Sequence, residues 1–166
     1  MSDIRDGETV LPIDPKAARD AHLAFIGRIR SDWSKGDCPK NIRQARERGG
    51  GQARIELNPA YAEALTGLEV GQAIWVLVWM DRSRRDLALQ TPGHADGPRG
   101  TFSLRSPVRP NPVAMSAVRI TSLDRERGVI GLDATDVFDG TPVVDLKPWL
   151  PTVDVPPDAV SDGKSG

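Results

Sequence analysis

A two-residue alternation of apolar and polar positions dominates this chain. Ala53, Ile55 and Leu57 alternate with Arg54 and Glu56, the pattern of a strand with one buried face. Residues 72–80 are apolar on both faces, which predicts a central strand. Residues 23–29 begin as an apolar run and then alternate. Residues 113–123 place Val118 and Ile120 on one face, and the loop 124–128 ends on Gly128 before residues 129–132 return as a hairpin. Shorter strands are expected at 101–104, 136–138 and 143–146, the last two flanking the turn Asp139-Gly140. One short helix is predicted over 58–67. Asn58 serves as its N-cap, Pro59 fills the first helical position, and Gly67 closes it in the left-handed conformation.

About seven short strands with Gly/Pro turns favour a mainly all-β fold, a small β-barrel with one short helix and peripheral loops; a sandwich is the neighbouring solution. A doubly wound α/β fold needs several long helices between strands, and the pattern supplies none. Residues 1–20 are polar, carry Pro12 and Pro15, and are expected as a flexible arm. Residues 21–151 form the barrel domain. Residues 152–166, with Pro156, Pro157, Gly163 and Gly166, are expected as a disordered tail.

Composition narrows the setting. The 166 residues are 39% hydrophobic and 27% charged, an ordinary globular balance with room for one core. No apolar run reaches the roughly 20 residues that span a bilayer. The charged N-terminus does not read as a secretory signal. Cys38 alone cannot form an internal disulfide, so a cytoplasmic location is expected. The net charge of -1 hides an asymmetry. Residues 28–109 hold 14 Lys and Arg against 9 Asp and Glu, a basic middle that reads either as a phosphate-binding surface or as scattered solvated charge.

Several chemistries lack their motifs. No G-x-G-x-x-G follows a strand and no P-loop is present, so a Rossmann-type site is not expected. His22, His94 and Cys38 are too few and too dispersed to suggest a metal site. No nucleophile elbow is visible. Cys38 has no base near it in sequence to make it a nucleophile.

Four segments remain as candidates. In residues 105–112, Pro107, Pro110 and Pro112 impose a stiff extended loop that presents Arg105 and Arg109. A guanidinium held there suits a carboxylate or phosphate, while solvated arginines on a rigid connection are the bland alternative. The turn Asp139-Gly140-Thr141-Pro142 is first of all a turn; the other reading gives its free amides and the Asp139 carboxylate a ligand such as a ribose or an amine. Residues 35–48 form a basic loop, with Lys40, Arg43, Arg46 and Arg48, that reads equally as an RNA contact or as a solvated loop. Residues 81–86 are a charge cluster at the end of the central strand, a solvated turn or the rim of a site.

Four stretches together resemble the TrmO family, also called TsaA-like or YaeB-like. RGTFSLRSPVRPNPVAMSAVRI (99–120) is similar to its R-S-P-x-R-P-N-P-I-G-x-S signature, and DGTPVVDLKPWLP (139–151) to its D-G-T-P-V-L-D-I-K-P-Y-x-P signature. IGRIRSDW (26–33) resembles its opening strand, and residues 55–80 its strand, helix and central strand. The likeness covers residues 24–151 in order.

The resemblance implies a β-barrel, S-adenosylmethionine as cofactor, a homodimer, and methylation of the exocyclic nitrogen of threonylcarbamoyladenosine beside the tRNA anticodon. Carried over by position, it implies cofactor contacts at Pro39, Lys40, Asn41, Asp81, Arg82, Arg105, Met115, Asp139, Gly140, Thr141 and Pro142. Arg109, Asn111 and Arg43 are the candidate contacts to the methyl acceptor. No catalytic base is identified; placing the acceptor in line with an already activated methyl group requires none in principle.

The chain also departs from the pattern. Pro39-Lys40-Asn41 replaces P-R-Q, Asp81 replaces a histidine, Ala114 replaces the glycine of NPIG, and residues 87–98 lack R-P-P-R-x-G-G. A short polar tail stands where the bacterial enzyme carries a C-terminal extension. The core cofactor motifs survive, while elements expected to meet the acceptor are changed. These departures leave two further readings open, a methyltransferase with another acceptor and a cofactor-binding module without catalysis.

Overall fold

The computed structural model describes residues 4–93 and 95–156. The N-terminal segment expected as a loose arm carries a two-residue strand, β1 (Thr9–Val10). Strand β2 (Gly27–Arg30) is shorter than the run from residue 23, and Leu23 and Phe25 stay exposed outside the ladder. Helix α1 (Ile42–Glu47) leads into β3 (Arg54–Leu57), where buried Ile55 and Leu57 alternate with Arg54 and Glu56. The helix predicted next is a 3-10 helix (Pro59–Leu65). Asn58 accepts its cap bond from the Ala60 amide, and Gly67 follows at φ +90°.

Strand β4 (Ala73–Trp79) turns Ile74, Val76 and Val78 inward. It is followed by β5 (Leu87–Gln90), β6 (Arg99–Gly100), β7 (Val113–Asp124), β8 (Val129–Leu132) and β9 (Pro142–Pro148). A four-residue helix, α2 (Pro151–Asp154), ends the described chain. The remainder of the expected tail, residues 1–3 and His94 lie outside the described residues.

Six strands close an antiparallel barrel in the order β2-β3-β8-β7-β4-β9; β1, β5 and β6 form a separate small sheet. Closure leaves the barrel no open edge along most of its wall. Its interior is filled by Ile29, Ile55, Ile74, Ile120, Ile130 and Val143, each 1% exposed or less. Each such side chain contributes about 1.5–3 kcal/mol by leaving water.

Three local expectations are corrected. Residues 101–104 are not a strand: a 3-10 turn (Thr101–Ser103) follows β6. There the buried Thr101 hydroxyl donates to the Leu87 carbonyl (2.7 Å) and the Ser103 hydroxyl to the Gly100 carbonyl (2.8 Å). Such side-chain bonds compete with a strand ladder. Residues 136–138 form no strand either, because their carbonyls accept from side chains. Cys38 Sγ–H bonds Asp136 (3.3 Å) and Ser31 Oγ–H bonds Val137 (3.0 Å), next to Trp33 Nε1–H on Thr135 (2.7 Å). Conversely β5 is a strand that the pattern did not predict.

Candidate functional site

The barrel wall parts between β7 and β8. Strand β7 pairs with β4 from Val113 to Arg119, but with β8 only from Ile120 onward. Ile120 N–H donates to Gln72 and Met80 N–H to Pro112, which fixes the phase of the ladder. Even-numbered β7 residues therefore bond β4, and Met115, Ala117 and Arg119 aim their backbone groups the other way. At Arg119 that edge is closed by Asp133, which accepts from the Arg119 amide (2.7 Å) and donates back to its carbonyl (3.0 Å). At Met115 and Ala117 no strand arrives. Two arginines take the carbonyls instead: Arg105 bonds Met115 (2.9 Å) and Arg46 bonds Ala117 (2.9 Å). The Met115 and Ala117 amides take no partner among the described residues.

Across the split stands Asp136. Its carboxylate accepts from Ser116 Oγ–H at 3.1 Å, and it lines a narrow crevice together with Val76, Val78, Val118 and Val137. The crevice holds about 10 Å³, room for no more than roughly one water. Burial pushes the Asp136 carboxyl above the usual range; the Ser116 bond and the more distant Arg105 and Arg46 oppose that rise. Cys38 borders the same segment. Burial, with Asp136 nearby, pushes its thiol up to about 11, so it stays protonated at neutral pH and is no nucleophile.

The rim is built from the basic loop. Asn41 caps α1 through the Gln44 amide (2.9 Å), and Gln44 Oε1 accepts from the Lys40 amide (3.1 Å). Pro39 is buried; Lys40 is exposed and forms no ion pair among the described residues. Arg46 is fixed to Asp133 (2.7 Å), whereas Arg43 makes only an exposed pair with Glu47.

Gly50 permits the close approach behind this rim. It sits at φ +79°, and a Cβ there would lie 2.2 Å from the Asp133 carbonyl oxygen. Gly50→Ala is therefore expected to cost at least about 1–2 kcal/mol from the left-handed backbone alone. Denaturant unfolding measures it, and a change under 0.5 kcal/mol contradicts the close approach.

The Asp139–Pro142 turn lies next along the chain from Asp136. Its amides are not free: Asp139 donates to Trp33, Gly140 to Ile29 and Thr141 to Phe138. Thr141 and Pro142 are buried. What the turn offers is Asp139, which already accepts from the Ser31 amide (3.2 Å) and faces Arg30 (3.6 Å). Arg82 joins the same turn, bonding the Asp139 carbonyl (3.2 Å) and lying over the Phe138 ring (5.7 Å). Arg28 takes the Gly140 carbonyl (2.8 Å), and Asp81 is exposed beside Arg82.

The stiff loop behaves as its prolines predict, but not all its polar groups face a ligand. Arg109 braces its own loop through the Leu104 and Ser106 carbonyls (3.1 and 3.0 Å). Asn111 accepts from Arg85 (3.3 Å), whose guanidinium lies over Trp79 (5.3 Å). The structure thus gathers Arg105, Met115 and the 39–41 loop at the split, and Arg82 with the 139–142 turn beside it. Ser116, Asp136 and Trp33 are members that the sequence does not single out, and Arg46, read there as a basic-loop residue for RNA, instead holds Asp133 and the Ala117 carbonyl. Ser116 lies one residue after Met115 inside the first signature, and Asp136 lies three residues before the second, outside it.

Comparison with known proteins identifies a family. The family described as tRNA-methyltransferase O N-terminal domain matches residues 28–155. The probable S-adenosyl-L-methionine-binding protein VirR of Rhizobium radiobacter is 40% identical over 131 residues, covering 78% of this chain and 71% of that protein. A tRNA (adenine(37)-N6)-methyltransferase of Eikenella corrodens is 46% identical over 61 residues, 36% of this chain and 35% of that one. The crystal structure of TrmO from Pseudomonas aeruginosa superposes with a TM-score of 0.65 at 29% identity, over 88% of this chain and 63% of that one. The chain thus spans under two thirds of the solved TrmO chains it matches. This chain belongs to the family of the tRNA-methyltransferase O N-terminal domain.

Proposed function

We propose that this protein binds S-adenosylmethionine across the split in the barrel wall and transfers its methyl group to the exocyclic nitrogen of threonylcarbamoyladenosine beside the tRNA anticodon. The observation that carries the reading is the β7 edge, where a guanidinium, two unpaired amides and a partly buried carboxylate converge without a strand to cover them. These groups fit the cofactor. Arg105 suits its carboxylate, the Met115 and Ala117 amides suit acceptor atoms of its adenine, and Asp139 suits a ribose hydroxyl. When bound, the cofactor supplies an activated methyl on a sulfonium. The protein's own contribution is to hold both partners in line and keep water from the contact, a placement effect. The homodimer implied by the family has a candidate seam in the apolar outer face at Leu77, Val113 and Met115, the last two 36% and 41% exposed.

The acceptor surface is the basic rim. Lys40 and Arg43 are exposed, and the Arg43–Glu47 pair is of the weak surface kind that a phosphate can displace. Replacing both by Ala is expected to weaken tRNA binding and to lower its salt slope by about one per lost phosphate contact. An unchanged slope removes this loop from the RNA surface. Arg46 is left out of that test because it holds Asp133 and the Ala117 carbonyl.

One observation keeps a second reading open. Within residues 87–98, where the family carries R-P-P-R-x-G-G, Leu87–Gln90 form strand β5 of the small sheet with β1. A changed acceptor face would accompany another acceptor, or binding without transfer. Incubating the protein with methyl-labelled S-adenosylmethionine and total tRNA separates the readings. Label in a threonylcarbamoyladenosine nucleoside supports the proposal; no transfer to RNA, with cofactor binding intact, overturns the tRNA assignment.

A further inference from the structure

Asp136 is a partly buried carboxylate without a cation among the described residues. None of the ion pairs among the described residues includes it. The ionisable groups facing it are Arg105, Arg46 and Cys38, and each is engaged elsewhere. Arg105 bonds the Met115 carbonyl, Arg46 bonds Asp133 and Ala117, and Cys38 is a neutral thiol on the Asp136 carbonyl. Valines wall the crevice behind the carboxylate, so water solvates it poorly. An anion so placed is costly unless it protonates or gains a counter-charge. The Ser116 hydroxyl donates to the ionised form and favours keeping the charge.

We infer that Asp136, seated on Ser116, is the counter-charge for the cationic group of the ligand whose anionic end Arg105 holds. The inference rests on S-adenosylmethionine being that ligand, and the cation is either its ammonium or its sulfonium. Asp139 is less suited to this role, because Arg30 and the Ser31 amide already face it. Pairing lowers the Asp136 pKa from its burial-raised value. Binding therefore releases a proton wherever free Asp136 is protonated, and affinity falls as pH drops through that titration.

The test uses the full chain, its Asp136→Asn and Ser116→Ala variants, and calorimetry with S-adenosylmethionine and S-adenosylhomocysteine across pH. Asp136→Asn keeps the shape and an acceptor for Ser116, and thermal unfolding confirms its fold. It is expected to bind S-adenosylmethionine at least tenfold more weakly and to lose the pH dependence. An equal loss for both ligands places the ammonium at Asp136; a loss confined to S-adenosylmethionine places the sulfonium there. Ser116→Ala removes a donor to the ionised form and should move the pH profile upward. Wild-type affinity and pH profile in Asp136→Asn overturn this inference alone. Failure of the wild-type protein to bind either ligand overturns it together with the cofactor reading.

Discussion

Trp33→Ala is expected to lower the stability of the protein by about 3–5 kcal/mol, a large share of what a domain of this size possesses. Trp33 is 6% exposed. Its ring lies against Gly51, where a Cβ would come within 2.3 Å of it, and carries the Arg48 guanidinium at 4.6 Å on its face. Its Nε1–H bonds the Thr135 carbonyl, and its own carbonyl accepts from the Asp139 amide (3.0 Å). One side chain thus ties the segment after β2 to the segment that carries Asp136 and the turn. Truncation leaves a cavity and an orphaned buried carbonyl together. Trp33→Phe keeps most of the volume and loses only the donor, so about 1–3 kcal/mol is expected there. Denaturant unfolding of the two variants decides it. A loss below 1 kcal/mol for Trp33→Ala contradicts this anchoring role.

Arg105→Ala is expected to weaken S-adenosylmethionine binding by about 1.5–3 kcal/mol, roughly 10- to 150-fold, with little change in stability. Its bond to the Met115 carbonyl is exposed, so water replaces it on truncation. The loop around it stays stiff without it, because Pro107, Pro110 and Pro112 fix the backbone and Arg109 braces it. A pre-held guanidinium loses little entropy when it grips a carboxylate, which is why its removal is costly. Arg105→Lys restores the charge without the fork and should recover only part of the affinity. Calorimetry on the variants reads the loss; unchanged affinity in Arg105→Ala takes Arg105 out of the site.

The strands set by alternation were legible in the chain. Ile55 and Leu57, and Val118 with Ile120, declare their inner faces by spacing alone, since burial on one side of a strand imposes period two; residues 72–80, apolar on both faces, declare a central strand but not its inner face. Residues 101–104 and 136–138 were misread for a different reason. Their conformations are set by the Thr101, Ser103, Cys38 and Ser31 side chains, and for 136–138 the donors lie about a hundred residues upstream. Arg105 and Met115 were visible in a motif. Ser116 closes the same motif and Asp136 lies outside both, but the role of neither is marked there, because their chemistry arises where the β7 ladder stops pairing with β8. The amides of the Asp139 turn illustrate the converse. A turn suggests free donors, but the fold spends all three on Trp33, Ile29 and Phe138.

The account turns on whether the split in the barrel wall holds S-adenosylmethionine. Calorimetric titration of the purified full chain with that cofactor at neutral pH tests this most directly. A saturable binding isotherm, weakened by Arg105→Ala, is the predicted result. No heat of binding up to millimolar cofactor, with the protein folded by thermal unfolding, would contradict it.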